Sequence, residues 1–231
     1  MKTSLIIPCF NESKNIPSLL EKCSRLSEVV TNLEIIIVDN GSLDNTPEVL
    51  TKLLPLYSGC RSIRVQKNNG YGFGILAGLN AANGEILGWT HADLQTDPLD
   101  IINAIKFFYD GRQDIFVKGR RFGRPILDVI FTVGMSFFET ILLRKILWDI
   151  NAQPTMFTRN FFESWMDPPH DFSLDLYAYF LAKNRNLNVI RFPVFFGSRL
   201  HGVSSWNVDW KAKMRFIKRT LVYSFELKKR F

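Results

Sequence analysis

Short apolar runs alternate with segments of helical periodicity along the first half of the chain, and this alternation restricts the fold more than any other feature. A short apolar run bounded by turn residues predicts a strand that is buried on both faces. Five such strands are predicted, at residues 4–7, 34–38, 62–66, 86–89 and 115–118. Strands that alternate with helices pair in parallel, so the pattern predicts an α/β fold with helices packed on both faces of one sheet.

Polar loops follow four of these strands at the end where each strand stops. They lie at residues 11–12, 39–42, 68–74 and 91–95. Ligands of open α/β sheets bind outside the carboxyl ends of the strands. We therefore expect the four loops to share one binding site at that edge of the sheet.

The loop after the fourth strand carries Asp93 and Gln95, two hard oxygen donors one residue apart. On extended backbone both side chains would point to one face. Such a pair suits Mg2+ or Mn2+, since these ions keep water or phosphate oxygens in the rest of their shell. A plain strand-to-helix turn, with Asp97 as N-cap and Pro98 in the first helical position, explains only the end of this segment. We therefore predict a divalent-metal site at Asp93 and Gln95.

The glycine-rich loop after the third strand argues against two common classes of nucleotide-binding enzyme. It has no GxxxxGK[ST] lysine, which disfavours a P-loop ATPase. Gly70, Gly72 and Gly74 also lack the spacing of a dinucleotide fingerprint, which disfavours a nicotinamide enzyme. Taken alone, the loop could equally be a tight turn between a strand and a helix.

Composition adds a preference for anionic partners. The 231 residues carry a net charge of +7, which suits phosphate, anionic lipid or nucleic acid. The basic residues concentrate near the C-terminus without any nucleic-acid motif, so we expect no nucleic-acid partner. Three cysteines without metal-ligand spacing predict reduced thiols in a cytosolic protein. We expect neither a signal peptide nor a transmembrane span, because no uncharged apolar run reaches the roughly 18–20 residues that a span requires.

Four motifs occur in the order typical of one enzyme family. They are Ile6-Ile7-Pro8-Cys9-Phe10-Asn11-Glu12, Val38-Asp39-Asn40-Gly41-Ser42-x-Asp44-x-Thr46, Asn69-Gly70-Tyr71-Gly72 and Ala92-Asp93-Leu94-Gln95. Over residues 3–122 the chain resembles family 2 glycosyltransferases with a GT-A fold, and it is most similar to dolichyl- and polyprenyl-phosphate sugar transferases. A weaker resemblance continues over residues 149–205. The resemblance implies a Rossmann-like, mostly parallel sheet flanked by helices.

The resemblance implies that the matched loops bind a nucleotide-sugar, either a UDP-sugar or a GDP-sugar. Asp93 and Gln95 would hold a divalent metal, Mg2+ or Mn2+, that bridges the diphosphate. Arg120 and Arg121 resemble the segment after the fifth strand whose arginine meets phosphate. The other implied donor-binding residues are Pro8, Phe10, Asn11, Glu12, Asp39, Asn40, Ser42, Asn69, Gly70, Gly74, His91 and Ala92.

A basic loop at residues 195–205 resembles the segment that closes over the donor diphosphate and the acceptor phosphate in this family. Arg199, His201 and Ser204 would contact phosphate there, together with Arg120 and Arg121. The residues implied in catalysis are Asp93, Arg121 and Arg199. Arginine presents a planar fork to phosphate oxygens, and a loop flanked by glycines can move as a lid.

Two positions depart from the family pattern. His91 stands where an aspartate is usual, and a histidine cannot serve as a hard anionic ligand, although it can donate to phosphate or ligate Mn2+. This departure predicts weakened metal binding rather than loss of activity, because Asp93 and Gln95 remain. Asn40 stands where aspartate is commoner, which removes one charge beside the nucleotide and favours an altered donor preference.

The acceptor is predicted from what the sequence lacks. A sugar hydroxyl needs a general base, whereas the oxygens of a polyprenyl phosphate are already ionised at neutral pH. The late acidic pair and the Gln-x-x-Arg-Trp motif of relatives that glycosylate hydroxyls are absent. We therefore expect an inverting transfer to a polyprenyl phosphate. Transfer to a hydroxyl of a lipid-linked glycan, with Asp171 or Asp175 as base, and a non-catalytic nucleotide-sugar-binding scaffold remain the alternatives.

Two apolar stretches favour a peripheral location at the cytoplasmic face of a membrane. Residues 125–148 are strongly apolar but interrupted by charges, and similar transferases have surface-lying helices here. Residues 208–231 carry an apolar stripe at helical spacing beside basic side chains, which suits anionic lipid. The stripe consists of Trp210, Met214, Ile217, Leu221 and Phe225. Both stretches could instead form a homo-oligomer interface. The predicted division is a donor-binding half at 1–124, amphipathic interface helices at 125–148, an acceptor-side half with the basic loop at 149–207, and a basic C-terminal helix at 208–231.

Overall fold

A computed structural model describes residues 1–202 and 210–231, and its centre is a sheet in which seven strands are described. Their order across the sheet is β3-β2-β1-β4-β6-β5-β7. All neighbouring pairs are parallel except those of β6, which runs antiparallel to β4 and β5. The strands are β1 (Thr3–Cys9), β2 (Leu33–Asp39), β3 (Cys60–Arg64), β4 (Ile86–Trp89), β5 (Ile115–Phe122), β6 (Thr155–Thr158) and β7 (Asn188–Phe195). The predicted α/β class with a mostly parallel sheet is confirmed.

Helices cover both faces of the sheet, and the alternation of side chains along each strand divides the core in two. On one face Ile6, Ile36 and Val38 pack with α3 and α7, and on the other Ile7 and Ile37 pack with α1 and α4. The helices are α1 (Ile16–Val29), α2 (Thr46–Leu53), α3 (Tyr71–Ala81), α4 (Ile101–Ile105), α5 (Ile126–Leu143), α6 (Arg159–Glu163), α7 (Ser173–Asn184) and α8 (Trp210–Arg230).

The apolar stretch after β5 is one continuous helix, α5, rather than several short interface helices. It ends at Leu143, and its C-cap Arg144 has a left-handed φ of 54°. By length and composition alone α5 is long and apolar enough to cross a membrane. It is not an uncharged run, because Asp128 lies in its first turn and the buried Glu139 near its end.

Helix α8 packs against α5 and α7 through Tyr223, Ser224 and Leu227. The apolar stripe predicted from the sequence is on a different side of this helix. Met214 and Phe225 of the stripe are exposed, while the side chain of Trp210 lies outside the described part of the structure. The helix therefore docks on the domain and still presents apolar side chains outward.

Candidate active site

A cavity of about 640 Å3 opens where the loops after β1, β2, β4 and β5 meet. It brings together twelve of the residues predicted for the site. These are Pro8, Phe10, Asn11, Glu12, Asn40, Gly70, His91, Ala92, Asp93, Gln95, Arg121 and Arg199. The cavity also reaches Asp128 and Phe131 on α5, so it extends from the strand ends to the apolar helix.

Some predicted residues do not line this cavity. Asp39 and Ser42 are buried behind it, and Arg120 is exposed on the other side of β5 from Arg121. Direct contact of these residues with substrate stays a prediction. Asn69, Gly74 and His201 are also absent from the lining, and Ser204 lies outside the described residues.

The loops after β1 and β2 are joined by bonds between side chains and backbone. The backbone N–H of Asn11 donates to Ser42 Oγ over 3.0 Å, and the N–H of Leu43 donates to Asn11 Oδ1 over 2.8 Å. Asp39 Oδ1 accepts from the N–H of Ser42, while its other oxygen faces Arg64 Nε at 3.3 Å. Asp39 and Ser42 thus shape the loops that line the cavity.

The glycine-rich loop is shaped by close packing. Gly70 has a φ of 115°, a conformation that favours glycine, and its carbonyl accepts from Asn40 Nδ2 over 2.9 Å. A Cβ at Gly74 would lie 2.9 Å from Asn40 Cγ, so a larger residue would displace Asn40. Gly70 and Gly74 therefore position Asn40 at the cavity, and their predicted contact with the donor stays a prediction.

Asp93 and Gln95 lie side by side, but not on extended backbone as the sequence suggested. Asp93 Oδ1 accepts from the N–H of Gln95 over 3.1 Å and closes a turn, with Leu94 at a φ of 58°. A short acidic side chain bonding two residues ahead favours such a turn over a strand. The turn leaves Asp93 Oδ2 and Gln95 Oε1 facing the same guanidinium, that of Arg199, at 2.8 and 3.3 Å.

The donor atoms here fit a divalent cation that carries further ligands of its own. A carboxylate and an amide oxygen already surround one cation, the Arg199 guanidinium, and Glu12 lies 3.8 Å from it. Within the described ranges no three His, Cys, Asp or Glu side chains converge as a metal cluster. Asp93 and Gln95 would therefore supply two ligands and leave the rest of the shell to phosphate and water.

His91 contributes a neutral ring to the cavity wall. Burial lowers the pKa of His91, against the opposing effect of the Asp93 carboxylate. Its ring lies 5.6 Å from that of Tyr71, which stacks on Phe172 at 4.5 Å. Burial and the nearby Asp175 and Asp93 carboxylates raise the pKa of Tyr71, so its phenol stays protonated. His91 thus offers an uncharged ring at the position predicted to depart from the family pattern, and the protonated Tyr71 phenol belongs to the ring next to it.

A cluster of arginines around Asp149 forms a second wall of the cavity. Asp149 accepts from the N–H and the Nε of Arg121 over 2.8 and 2.9 Å, and Arg124 and Arg191 each lie 3.9 Å away. Burial alone would raise the pKa of Asp149, but the charge and hydrogen bonds of Arg121 outweigh it and lower the pKa. One carboxylate among three guanidinium groups leaves net positive charge, and Arg121 and Arg124 face the cavity.

Two acidic residues of the C-terminal half also line the cavity, and both have partners. Asp171 Oδ1 accepts from the N–H of Ser173 at the start of α7, and Oδ2 lies 2.9 Å from Arg219 Nε. Asp175 is buried and accepts from Gln153 Nε2 over 2.6 Å, with the Lys118 ammonium 3.4 Å away. Burial lowers the pKa of Lys118 to about 8, although Asp175 opposes the shift.

Several cavity residues were not predicted from the sequence. Arg124 and Phe131 belong to no matched motif and reach the cavity only because distant segments fold together. Asn151 and Phe196 lie in the weakly matched part of the chain, where no role was predicted for them. Tyr71 differs, because it lies within the quoted Asn69-Gly70-Tyr71-Gly72 motif and could have been singled out there.

The sequence over residues 4–162 matches the family model described as glycosyl transferase family 2. The chain belongs to this family. Among curated proteins, it is 34% identical over 112 residues to undecaprenyl-phosphate 4-deoxy-4-formamido-L-arabinose transferase of Serratia proteamaculans and, equally, to that of Yersinia enterocolitica. The match covers 48% of this chain and only 34% of the length of each relative.

Solved structures confirm the GT-A fold. The chain superposes with a TM-score of 0.74 on glucosyl-3-phosphoglycerate synthase from Mycobacterium tuberculosis in complex with UDP, at 18% identity, covering 99% of this chain and 80% of that one. A mannosyltransferase from Pyrobaculum calidifontis, in complex with GDP-mannose and Mn2+, gives a TM-score of 0.71 at 18% identity over 100% of this chain and 64% of the other. The predicted family and fold are thus both confirmed.

Proposed function

We propose that the chain transfers a sugar from a UDP- or GDP-sugar to a polyprenyl phosphate, with a divalent metal and with inversion at the anomeric carbon. The observation that carries the proposal is the composition of the cavity's two walls. Oxygen donors from Asp93 and Gln95 form one wall, and Arg121 and Arg124 form the other beside the apolar helix α5. Such a cavity suits two phosphate-bearing substrates, one of which is a lipid.

The sugar donor is assigned to the wall built by the loops after β1, β2 and β4, which we call the donor wall. Its backbone groups are fixed by hydrogen bonds such as those of Asn11 and Ser42, so the loops need little rearrangement to bind a nucleotide. Asp93 and Gln95 would hold Mg2+ or Mn2+, which would stabilise the charge of the leaving diphosphate. The two solved relatives contain UDP, or GDP-mannose and Mn2+, which supports a nucleotide-sugar and a metal here.

The acceptor phosphate is assigned to the wall of arginines around Asp149, which we call the acceptor wall. Arg121 is held in place by three donations to Asp149 and still faces the cavity, so its charge is available to an anion at little conformational cost. A phosphate oxygen needs no base for attack on the anomeric carbon. The names of the curated relatives, which act on undecaprenyl phosphate, support the same assignment.

The acidic residues of the C-terminal half support a phosphate acceptor over a hydroxyl acceptor. Asp171 accepts from the N–H of Ser173 and pairs with Arg219, while Asp175 is bound to Gln153 and the Lys118 ammonium. Both carboxylates already have partners, and either one would have to give up these contacts to accept a proton from a hydroxyl acceptor. Asp175 nevertheless lines the cavity, so the hydroxyl alternative keeps one specific candidate base.

The lipid is proposed to enter from a membrane surface that contacts α5 and α8. Apolar side chains along both helices point outward. They are Ile126, Leu127, Ile130, Val133, Phe137 and Ile141 on α5, and Met214, Val222 and Phe225 on α8. Lys218 of α8 is exposed among them, as expected of a helix that adsorbs to anionic lipid. We propose a peripheral attachment at the cytoplasmic face.

The test is a transfer assay with purified protein, Mn2+ or Mg2+, a panel of UDP- and GDP-sugars, and undecaprenyl phosphate as acceptor. The matched control acceptor is free polyprenol. We expect sugar on the phosphate only, and we expect Asp93→Asn to lower the rate by about a thousandfold, because electrostatic stabilisation of the leaving group is among the largest catalytic effects. An Asp110→Asn variant carries the same substitution at an exposed site and controls for effects of purification and of losing one negative charge.

Other outcomes of this assay would redirect the proposal. Transfer to a glycan hydroxyl that is lost in Asp175→Asn would establish the hydroxyl alternative. Nucleotide-sugar binding without any product or hydrolysis, at every metal concentration, would establish a non-catalytic scaffold.

A further inference from the structure

The guanidinium of Arg199 lies among the residues proposed to bind the metal. Its Nη2 is 2.8 Å from Asp93 Oδ2, its Nε donates to Gln95 Oε1 over 3.3 Å, and its Nη1 is 3.8 Å from Glu12 Oε1. The sequence predicted that Arg199 contacts phosphate. Here it instead contacts three oxygen-bearing side chains of the donor wall.

The segment that carries Arg199 is fastened to the same wall on both sides of the arginine. The N–H of Gly197 donates to the carbonyl of Gln95 over 2.8 Å, and Gln95 Nε2 donates to the carbonyl of Gly197 over 3.1 Å. Beyond the arginine, Asn15 Nδ2 donates to the carbonyl of His201 over 3.3 Å. Residues 197–202 therefore lie across the donor wall with Arg199 directed into it.

This contact has a plain electrostatic cause. Asp93 is only 6% exposed, and a carboxylate removed from water is stabilised by a nearby cation. Glu12 lies 3.8 Å from the guanidinium that Asp93 contacts at 2.8 Å, so the two carboxylates are close enough to repel each other. Arg199 offsets the negative charge of both carboxylates, as a metal ion at the same place would.

We propose that Arg199 is an internal cation that competes with the divalent metal for Asp93 and Gln95, so that metal entry detaches residues 197–202 from the donor wall. The inference rests on the metal role assigned to Asp93 and Gln95 under the proposed function. A guanidinium and a metal ion cannot both use the same two oxygens, and their positive charges repel at this distance. Binding of the metal without nucleotide therefore requires breaking the contacts of Arg199 with Asp93 and Gln95, which lowers the affinity for the metal.

A nucleotide diphosphate reverses the effect of Arg199. With metal and diphosphate bound, the guanidinium released from Asp93 and Gln95 would contact phosphate oxygens and so contribute to binding. Metal and donor therefore bind cooperatively, since each removes part of the cost of binding the other. Arg199 lowers the affinity for the metal alone and raises the affinity for the nucleotide in the presence of metal. An arginine that only contacted phosphate would raise the nucleotide affinity without lowering the metal affinity.

The first test measures Mn2+ affinity by calorimetry, without nucleotide, for the wild-type chain, Arg199→Gln and Lys14→Gln. Lys14 is exposed in the loop after β1, so its variant controls for the loss of one positive charge near the cavity. We expect Arg199→Gln to bind Mn2+ about five- to tenfold more tightly than wild type, and Lys14→Gln to change the affinity less than about twofold. In the presence of Mn2+, Arg199→Gln should bind UDP or GDP about tenfold more weakly.

A second test needs no substitution and so does not depend on the folding of a variant. Trypsin cleaves after Arg199 only when the segment leaves the wall, so Mn2+ alone should accelerate cleavage at this bond severalfold relative to cleavage after the exposed Lys14. Unchanged cleavage with saturating Mn2+ would overturn the proposal. An equal increase of Mn2+ affinity in Arg199→Gln and Lys14→Gln would also overturn the proposal.

The two tests separate this inference from the proposed function. If Mn2+ binds, Asp93→Asn abolishes the binding, and Arg199→Gln leaves the affinity unchanged, the metal site stands and the competition is wrong. If Mn2+ binds to neither the wild type nor Arg199→Gln, the competition and the metal role of Asp93 and Gln95 are both wrong, whereas sugar transfer is decided by the assay above.

Discussion

The two walls of the cavity are stabilised in different ways. The donor wall consists of short loops at strand ends, and bonds from side chains such as Asp39 and Ser42 to nearby backbone groups hold it. The acceptor wall consists of long side chains from β5 and its following loop, and the buried Asp149 carboxylate holds it. The first depends on many weak local bonds and the second on one charge, so single substitutions should affect them unequally.

The largest effect on stability is expected in the acceptor wall, from Asp149→Ala. The change leaves Arg121, Arg124 and Arg191 together without their shared carboxylate, and breaking a buried ion pair costs about 3–5 kcal/mol. Urea unfolding of the variant should show this loss. Asp110→Ala, at an exposed site, should stay within about 0.5 kcal/mol of wild type. A loss below about 1 kcal/mol in Asp149→Ala would mean that the arginines do not depend on this carboxylate.

A smaller effect, dependent on pH, is expected behind the acceptor wall. Glu139 of α5 is fully buried, and Ser224 Oγ donates to its Oε1 over 2.6 Å. Arg121 is the other charged residue lining the small cavity beside it. Burial raises the pKa of Glu139 from 4.5 to about 7, although the bond from Ser224 opposes the shift.

The sign of this pH effect follows from the order of ionisation. As pH rises from 4.5 to about 7 the unfolded chain loses the Glu139 proton first, so the free energy of unfolding falls across this window. Glu139→Gln should remove this fall and be more stable than wild type above pH 7 by on the order of 2 kcal/mol. Unfolding curves at pH 5 and pH 8 measure it, with exposed Glu226→Gln as control. An equal loss of unfolding free energy from pH 5 to pH 8 in the wild type and in Glu139→Gln would contradict the argument that burial raises the pKa of Glu139.

The smallest effect is expected in the donor wall, from Ser42→Ala. Without Ser42 Oγ the N–H of Asn11 loses its acceptor, which costs about 1–2 kcal/mol of stability. Neighbouring bonds, such as that from Leu43 N–H to Asn11 Oδ1, remain and limit the damage. Thermal unfolding measures the change against Ser58→Ala, at an exposed turn. A cost as large as that of Asp149→Ala would remove the distinction between the walls.

The sequence predicted the donor wall better than the acceptor wall, and the reason is physical. Each donor loop follows its own strand, so period and turn residues place Glu12, Asn40 and Asp93 at one edge without knowledge of the tertiary fold. Arg124 and Asn151 carry no local signal. They reach the cavity because β5 extends to Phe122 and pairs with β7, which no local pattern indicates.

Local geometry was also only partly predictable. The sequence placed Asp93 and Gln95 together correctly but on extended backbone, because alternation along a strand was the simplest model. The turn closed by the Asp93 carboxylate, with Leu94 left-handed, depends on a bond between side chain and backbone that residue type alone does not require. Arg199 was identified as a basic residue for phosphate, yet its contact with Asp93 depends on the path of residues 197–202.

The most direct test of the central claim, that one wall binds the donor and the other the acceptor, compares Gln95→Ala with Arg124→Gln in the transfer assay. The KM for nucleotide-sugar and the KM for undecaprenyl phosphate are measured separately for each variant. We predict that Gln95→Ala raises only the donor KM and Arg124→Gln only the acceptor KM, each by about tenfold. Equal increases in both constants for both variants, or the reverse assignment, would contradict the account.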